Sequence, residues 1–334
     1  MSTPENSSEI FIDNYGRRMN YLRLAVTDRC NLRCRYCMPE EGVPHVPKEN
    51  LLSWEENLRL SGIMINHGVT KIRITGGEPF VRKGLTGFLE QLKARYPDLN
   101  IGITTNAVLL ERHLERLKSA GITSLNISLD SLSPEGFYTI TRRDNFHDTW
   151  DAIQQAINMG FDIKINMVIQ AGLNDHEILD FADLTETLPI NVRYIEPMPF
   201  SGDLYEDHQS FSFKEIKKEL AKKYVLIPDG TAKSGVANQF KIEGHPGKIG
   251  IINAYSRTFC ATCSRMRVSA LGQMRTCLYG ENVLDLRELF RCGSPDSVIA
   301  DAIQKVLNQR FKDGFEAENH RKEKQFESMS AIGG

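Results

Sequence analysis

Six of the seven cysteines in this 334-residue chain fall into two groups of three. The first is Cys30-Asn31-Leu32-Arg33-Cys34-Arg35-Tyr36-Cys37, spaced C-x3-C-x2-C, directly after the alternating apolar run from Tyr21 to Thr27. The second is Cys260-Ala261-Thr262-Cys263, followed after thirteen residues by Cys277. A disulfide framework needs an even set of partners. A closed zinc site needs four ligands, usually as two pairs. Three thiolates close together suit three corners of a cubane iron–sulfur cluster, leaving one iron open to a small molecule. For the first group the alternative is buried or zinc-binding cysteines, which the lack of a fourth Cys or His in the loop disfavours. The second group, taken alone, also fits half of a zinc ribbon. However, Cys277 is followed by Leu278 rather than by a second C-x2-C pair. Cys292, fifteen residues further on and past a helix start, is a poor completing ligand, so zinc with a distant fourth ligand stays an alternative.

These thiols need a scaffold, and the sequence between them alternates strands with amphipathic helices. The predicted strands are Tyr21–Thr27, Lys71–Thr75, Ile101–Thr105, Ser124–Asp130, Asp162–Ile169 and Asn191–Glu196. Helices are expected from Ser53, where Ser53-Trp54-Glu55-Glu56 has the form of a capping box, to His67. Others are expected over 85–95, 108–119, up to Met159, over 175–187 and over 213–223. Six strand–helix units without a hairpin signal imply parallel strands with right-handed crossovers. One face of each strand is apolar: Leu22, Leu24 and Val26; Ile72 and Ile74; Leu125, Ile127 and Leu129. The other is polar: Arg23 and Thr27; Lys71, Arg73 and Thr75; Thr104; Asn126, Ser128 and Asp130; Lys164 and Asn166. A parallel sheet buried on both faces reads as continuous apolar runs. An open doubly wound sheet is the alternative, but this pattern predicts an α/β fold, an incomplete TIM-like (βα)6 barrel with a wet lumen, in contrast to a closed barrel packed with apolar layers. The barrel is expected over residues 1–225, with 1–14 as a loosely held arm. Residues 226–334 are expected to form a C-terminal extension carrying the second cysteine group. Within it, 228–247 reads as linker or irregular loop, 284–291 and 295–310 as helices, and Gly333-Gly334 as the end of a flexible tail.

Composition narrows the partners. A net charge of −2 gives no global attraction to nucleic acid or membranes, so any anion site must come from local Arg and Lys. No apolar run approaches the ~20 residues that span a bilayer, and Met1 to Glu9 lacks the apolar segment of a secretory signal. A cytoplasmic protein is expected, acting as a monomer or homodimer, in a compartment where cysteines serve metal or catalysis rather than disulfides. Arg23, Arg73 and Lys164 come from three strands on the polar face, and Arg265-Met266-Arg267 adds two same-face cations just after Cys263. Each could pair with Asp130, Glu78 or Glu196. Together, five convergent cations suit a polyphosphate held by bidentate guanidinium forks. After the second strand, Gly76-Gly77-Glu78-Pro79 permits close backbone approach to a ligand, with Pro79 stiffening the exit.

Val26-Thr27-Asp28-Arg29-Cys30, the C-x3-C-x-Tyr-Cys loop and Thr75-Gly76-Gly77-Glu78-Pro79 together resemble the radical S-adenosylmethionine enzymes. The resemblance implies a 4Fe–4S cluster on Cys30, Cys34 and Cys37. Its open iron would be chelated by S-adenosylmethionine, whose cleavage yields a 5′-deoxyadenosyl radical. The pairing with Cys260-x2-Cys263-Ser264-Arg265-x-Arg267 is narrower. It resembles the GTP 3′,8-cyclase family of lyases, which open molybdenum cofactor biosynthesis, from Arg23 to Gly333-Gly334. That likeness implies a second 4Fe–4S cluster on Cys260, Cys263 and Cys277, contacting the guanine base. It places Tyr36, Gly77, Ser128 and Met198 at cofactor-binding positions. Arg23, Arg73, Thr104, Lys164, Arg265, Met266 and Arg267 fall at GTP-binding positions, with Arg265 or Arg267 as proton donor. It further implies abstraction of the C3′ hydrogen and C3′–C8 bond formation, giving 3′,8-cyclo-7,8-dihydro-GTP. The implied partners are a flavodoxin- or ferredoxin-type reductant and a downstream cyclic pyranopterin monophosphate synthase. One departure stands out: Ala107 follows Thr105-Asn106 where the family pattern has Gly. A peptide-modifying radical enzyme and a non-enzymatic zinc or electron-carrier module are the rival readings.

Overall fold

In the computed structural model, which describes residues 9–44, 46–197, 211–230, 237–253 and 260–321, the polar–apolar alternation becomes a sheet with helices on one face. Met198, the first eight residues and the tail from 322, Gly333-Gly334 included, lie outside the described residues. The six expected strands are present as β1 (Tyr21–Ala25), β2 (Lys71–Thr75), β3 (Asn100–Thr105), β4 (Ser124–Ser128), β5 (Asp162–Val168) and β6 (Asn191–Ile195). They pair in chain order and all in parallel. Their apolar faces pack under α1 (Trp54–Asn66), α2 (Leu85–Arg95), α3 (Leu114–Ser119), α4 (Pro134–Thr141), α5 (Phe146–Asn158) and α6 (Ile178–Thr187). Leu22, Leu24, Ile72, Ile74, Ile103, Leu125, Ile127, Ile165 and Val192 are fully buried there. Each such side chain contributes roughly 1.5–3 kcal/mol of transfer free energy. The capping box of α1 forms as read, with Glu56 N donating to Ser53 Oγ at 3.1 Å and Ser53 N to Glu56 Oε2 at 2.7 Å.

Among the described residues the opposite face carries no helix, yet Arg73, Asn126 and Arg267 on it are 3%, 8% and 6% exposed. The sheet must therefore curl on itself. Arg193 on β6 feels the charges of Arg73 on β2 and Tyr21 on β1, strands that in a flat sheet would lie about 19 and 24 Å away. Among the described residues the sheet's two edge strands do not pair with each other, so the barrel stays open.

The C-terminal region departs from expectation. After α7 (Phe213–Leu220) come β7 (Ile227–Pro228), β8 (Ala237–Lys241) and β9 (Lys248–Ile252), so 228–247 is not merely linker. β9 adds in parallel to β6, and β8 and β7 continue antiparallel beyond it. Then β10 (Arg265–Val268) adds in parallel to β1 at the other edge, followed by β11 (Gln273–Arg275) and β12 (Leu284–Asp285). Eight consecutive strands, β10-β1-β2-β3-β4-β5-β6-β9, are thus parallel. β7, β10, β11 and β12 have only two to four residues each, and β8 buries only Phe240, which hides the period-2 signal. Residues 284 and 285 form β12 rather than opening a helix, which starts later as α8 (Leu286–Arg291) and is followed by α9 (Asp296–Leu307) and α10 (Gly314–Asn319). Residues 108–110 are likewise outside α3, which a short 3-10 turn precedes. The arm is also corrected: Phe11 and Asp13 are buried, Phe11 N bonds His67 O at 3.0 Å, and Ile12 bridges Arg18. An aromatic ring and an internally paired carboxylate hold residues 9–14 down.

Candidate functional site

The first cysteine loop leaves the C-terminal end of β1. Gly77 N donates to Thr27 O at 2.9 Å and Glu78 N to Arg29 O at 2.8 Å, zipping the Gly76-Gly77 turn to the stem of the loop. A Cβ at Gly77 would lie 2.3 Å from Arg29 O, and one at Gly76 2.5 Å from Thr27 O. The close approach read from these glycines is therefore, first of all, to the chain's own backbone. Glu78 is buried and finishes the junction. Its Oε1 accepts from Phe80 N (3.0 Å) and Thr105 Oγ1 (2.9 Å), and its Oε2 from Asn106 N (2.7 Å). Burial lifts its carboxyl to about 7 against these hydrogen bonds.

Within the loop, Cys37 N and Met38 N both donate to Cys34 O at 2.9 Å. Leu32 N donates to Cys30 Sγ at 3.4 Å, and Asn106 Nδ2 reaches the same sulfur at 3.8 Å. Arg33 Nη1 binds the carbonyls of Cys30 and Leu32, each at 2.8 Å, and Arg142 Nη1 those of Arg33 (3.0 Å) and Met38 (3.2 Å). Tyr36 Oη donates to Asp130 Oδ2 at 2.9 Å, while Val168 N donates to Asp130 Oδ1 at 2.8 Å. Burial, and then the charge of Glu78, raises the Cys30 thiol to about 12, and burial followed by the charge of Asp130 raises Cys34 well above the usual thiol range. Such thiols become thiolates only beside a strongly positive centre, which is the donor chemistry of an iron–sulfur site. None of the seven cysteines is in a disulfide. Among the described residues no three His, Cys, Asp or Glu side chains are gathered for a single metal ion.

The lumen is cationic. Strand register puts Tyr21 beside Lys71 and Arg265, and Arg23 beside Arg73 and Arg267. Thr104, Asn126 and Lys164 share the next row, and Ser128 and Asn166 pair beyond it, where Asn166 meets Arg193. Burial first, and the neighbouring guanidinium groups second, lower the pKa of Arg193 to about 10 and that of Arg267 well below the usual range. Of the carboxylates considered as partners, Asp130 and Glu78 bond as above, and Glu196 Oε1 accepts from Phe213 N at 2.7 Å. Lys164 pairs with Asp162 on its own strand. Gly102 sits opposite Arg73, and a Cβ there would lie 2.5 Å from the guanidinium carbon. Among the described residues, five buried atoms on this face have no hydrogen-bond partner: Arg73 Nε, Thr75 Oγ1, Thr104 Oγ1, Asn126 Oδ1 and Asn166 Oδ1. Orphaned polar atoms clustered on one wall fit a polar ligand.

The second cysteine group lies at the other end of the same strands. Cys260 and Cys263 precede β10, and Cys277 follows the antiparallel β11, so all three sit at the N-terminal end of β1 and β10. The four paired residues from Tyr21 to Leu24 put at least about 10 Å of strand between the two groups. All three thiols line one small cavity of about 30 Å³ together with Arg265, Arg267 and Thr276. Burial raises the Cys263 thiol, but Arg265 and then Arg310 outweigh it and bring it to about 6.

The structure thus gathers Arg23, Arg73, Lys164, Arg265 and Arg267 on one wall, with Thr104 among them. Met266 is the exception, since it is fully buried on the helix-facing side. Tyr36, Gly77 and Ser128 lie together at the C-terminal strand ends. Sequence reasoning missed Arg193, Tyr21 and Gly102 as site residues. The alternation within Asn191-Val192-Arg193-Tyr194 carries the signal for Arg193, and a lone glycine inside Ile101-Gly102-Ile103 carries that for close packing. Ala107 adopts φ +64°, a left-handed conformation that glycine takes more readily, in keeping with the glycine that the resemblance leads one to expect there.

Comparison with known proteins supplies an independent line. Residues 24–185 match the family model of the radical SAM superfamily, and residues 190–315 match that of Molybdenum Cofactor Synthesis C. The chain is 41% identical over 307 residues to Molybdenum cofactor biosynthesis protein 1 of Homo sapiens, covering 91% of this chain and 48% of that protein. It therefore spans about half the length of that relative. It is 43% identical over 304 residues to GTP 3′,8-cyclase of Desulforamulus reducens, covering 90% of this chain and 93% of that one. Among solved structures, Streptococcus suis SuiB bound to S-adenosylmethionine superposes with a TM-score of 0.60 over 86% of this chain and 69% of that one, at 14% identity, a likeness of fold. Among the described residues no helix is long and apolar enough to cross a membrane.

Proposed function

This chain belongs to the GTP 3′,8-cyclase family within the radical SAM superfamily, and from that premise we propose that it converts GTP to 3′,8-cyclo-7,8-dihydro-GTP at the start of molybdenum cofactor biosynthesis. The observation that carries this reading is a cationic lumen, lined by orphaned polar atoms, between two three-cysteine groups at opposite ends of β1 and β10. Cys30, Cys34 and Cys37 would hold one 4Fe–4S cluster, with S-adenosylmethionine against Tyr36, Gly77 and Ser128. Cys260, Cys263 and Cys277 would hold a second. The chemistry these groups supply when bound is a 5′-deoxyadenosyl radical that takes the C3′ hydrogen of GTP, so that C3′ bonds to C8.

The chain's own residues do the positioning. Arg23, Arg73 and Arg193 present guanidinium forks to the triphosphate, and Lys71 and Lys164 add point charges. With the phosphates fixed in mid-lumen, the ribose is held toward the first cysteine loop and the base toward the C-terminal cavity. Holding C3′ in place in this way removes the entropic cost of finding it during reaction. Thr104, Asn126 and Asn166 are free to bond sugar or base. Arg267, whose buried guanidinium gives up a proton more readily than an exposed one, and its neighbour Arg265 are the candidates for proton delivery on reduction. The reaction also needs a one-electron donor of flavodoxin or ferredoxin type. Its product would pass to a cyclic pyranopterin monophosphate synthase, and the site of action is the cytoplasm.

Anaerobic incubation with GTP, S-adenosylmethionine and dithionite, followed by product identification, tests the reading. The expected result is a cyclic product with 5′-deoxyadenosine. Absence of saturable GTP binding, together with modification of a peptide, would replace it. A Cys263→Ala variant should still cleave S-adenosylmethionine abortively while losing the cyclic product.

A further inference from the structure

The cationic lumen does not account for Arg310, a buried cation three residues beyond α9 that reaches the C-terminal cysteine group from behind. Its side chain is 3% exposed. Nη1 donates to Cys263 O at 2.8 Å, and Nη2 lies 3.2 Å from Cys263 Sγ and 3.5 Å from Arg265 O. Nη1 is also 3.2 Å from Asp13 Oδ2, a carboxylate whose side chain is fully buried. Asp13 is occupied on every side: Oδ1 accepts from Tyr15 N and Arg17 N, both at 2.9 Å, and Oδ2 from Arg17 Nε at 2.5 Å. Arg17 then continues to the cysteine segment, with Nη1 donating to Cys260 O at 3.0 Å and to Lys312 O at 2.8 Å. Gln304 of α9 binds both backbone groups of Ile12, at 3.3 and 2.7 Å. Two arginines and one carboxylate, drawn from opposite ends of the chain, thus grip Cys260 and Cys263 from outside the cavity.

A clasp that only shaped the loop would need the carbonyl contacts alone. The N–H directed at Cys263 sulfur does something further, since hydrogen bonds and positive charge at a ligating sulfur favour the electron-richer state of a cluster. We propose that Arg310 is a positioning residue that raises the reduction potential of the C-terminal iron–sulfur site through Cys263, with Asp13 moderating its charge. This rests on the reading of Cys260, Cys263 and Cys277 as cluster ligands.

The test uses the full chain, reconstituted anaerobically, with Cys30, Cys34 and Cys37 changed to Ala so that only the C-terminal site contributes. Its potential is followed by EPR-monitored redox titration, alone and with Arg310→Gln, Arg310→Lys or Asp13→Asn. Arg310→Gln should reduce the equilibrium constant for reduction at least tenfold, a fall of about 59 mV for a one-electron couple. Arg310→Lys, which keeps the charge but not the fork, should fall less. Asp13→Asn, which removes a negative charge beside Arg310 and keeps an acceptor for Tyr15 and Arg17, should move the potential upward. If Arg310→Gln retains no iron, the opposite shifts of Arg310→Lys and Asp13→Asn still carry the inference. Iron bound in every variant at one unchanged potential overturns the inference and leaves the cluster reading intact. Zinc or no metal in the parent protein overturns both.

Discussion

Tyr21 shows how much the lumen can change one residue. Burial alone would raise its phenol, but Arg23, Arg73 and Lys71 around it outweigh that and hold it at about 7. A triphosphate bound to the same cations would cancel their field and return the phenol toward its ordinary value. GTP binding above pH 7 should therefore take up a proton, and affinity should fall as pH rises through that value. Calorimetry in buffers of different ionisation enthalpy measures the uptake. It should vanish in Tyr21→Phe, and an uptake that persists there would assign it to another group. Gly102 makes the complementary point. Its missing Cβ leaves room for the Arg73 guanidinium, so Gly102→Ala should push that fork aside without disturbing the apolar face of β3. A misaligned charge-assisted contact costs about 1.5–3 kcal/mol, roughly a tenfold or greater loss of GTP affinity by titration, with thermal stability nearly unchanged. Both residues were readable as strand positions, whereas their surroundings were not, because each depends on neighbouring strands.

At the scale of elements, the junction of β2 with the first cysteine loop is the most demanding. Two backbones touch there through Gly77 N to Thr27 O and Glu78 N to Arg29 O, leaving no space for a methyl group. Gly77→Ala must separate the turn from the loop stem, and the three thiols it supports would no longer share a cube. With the two clusters proposed above, iron analysis should drop from about eight atoms per chain to about four. Gly87→Ala in α2, where a Cβ meets nothing within 4 Å, should keep full iron and gain about 0.5–1 kcal/mol of stability. Equal iron in the two variants would dissociate the turn from cluster binding. The motif Thr75-Gly-Gly-Glu-Pro79 was legible because it is contiguous. That its glycines serve the packing of the loop stem became visible only when β1 and β2 were paired.

Across the whole molecule, one hydrophobic core runs through β1–β6 and the helices above them and continues into β9, β10 and α9. Cys30 and Cys34 only pack against its margin, and the other group's Cys277 belongs to a small separate cluster with Tyr279 and Ala317. The fold should consequently outlast its metals, unlike small zinc modules whose binding energy is their folding energy. Stripping iron by chelation should leave far-UV circular dichroism and a cooperative thermal transition. Faster amide exchange should be confined to residues around 30–38 and 260–280. Global loss of helix signal on chelation would show the clusters to be structural keystones.

What the sequence by itself determined were features written at short range: six thiols in two spaced groups, a period-2 alternation that assigned Arg23, Arg73 and Lys164 to one face, and capping at Ser53. Those follow from chemistry and geometry over at most eighteen neighbouring residues. Tertiary structure alone decided that β9 and β10 would flank the barrel as parallel edges, that Arg193 would face Arg73 across the lumen, and that Asp13 and Arg310 would close behind Cys263. The physical reason is that strand partnership and the meeting of distant charges depend on which surfaces remain to be buried after local elements form. Residues 13 and 310 carry no mark in their own neighbourhoods of the pairing they make.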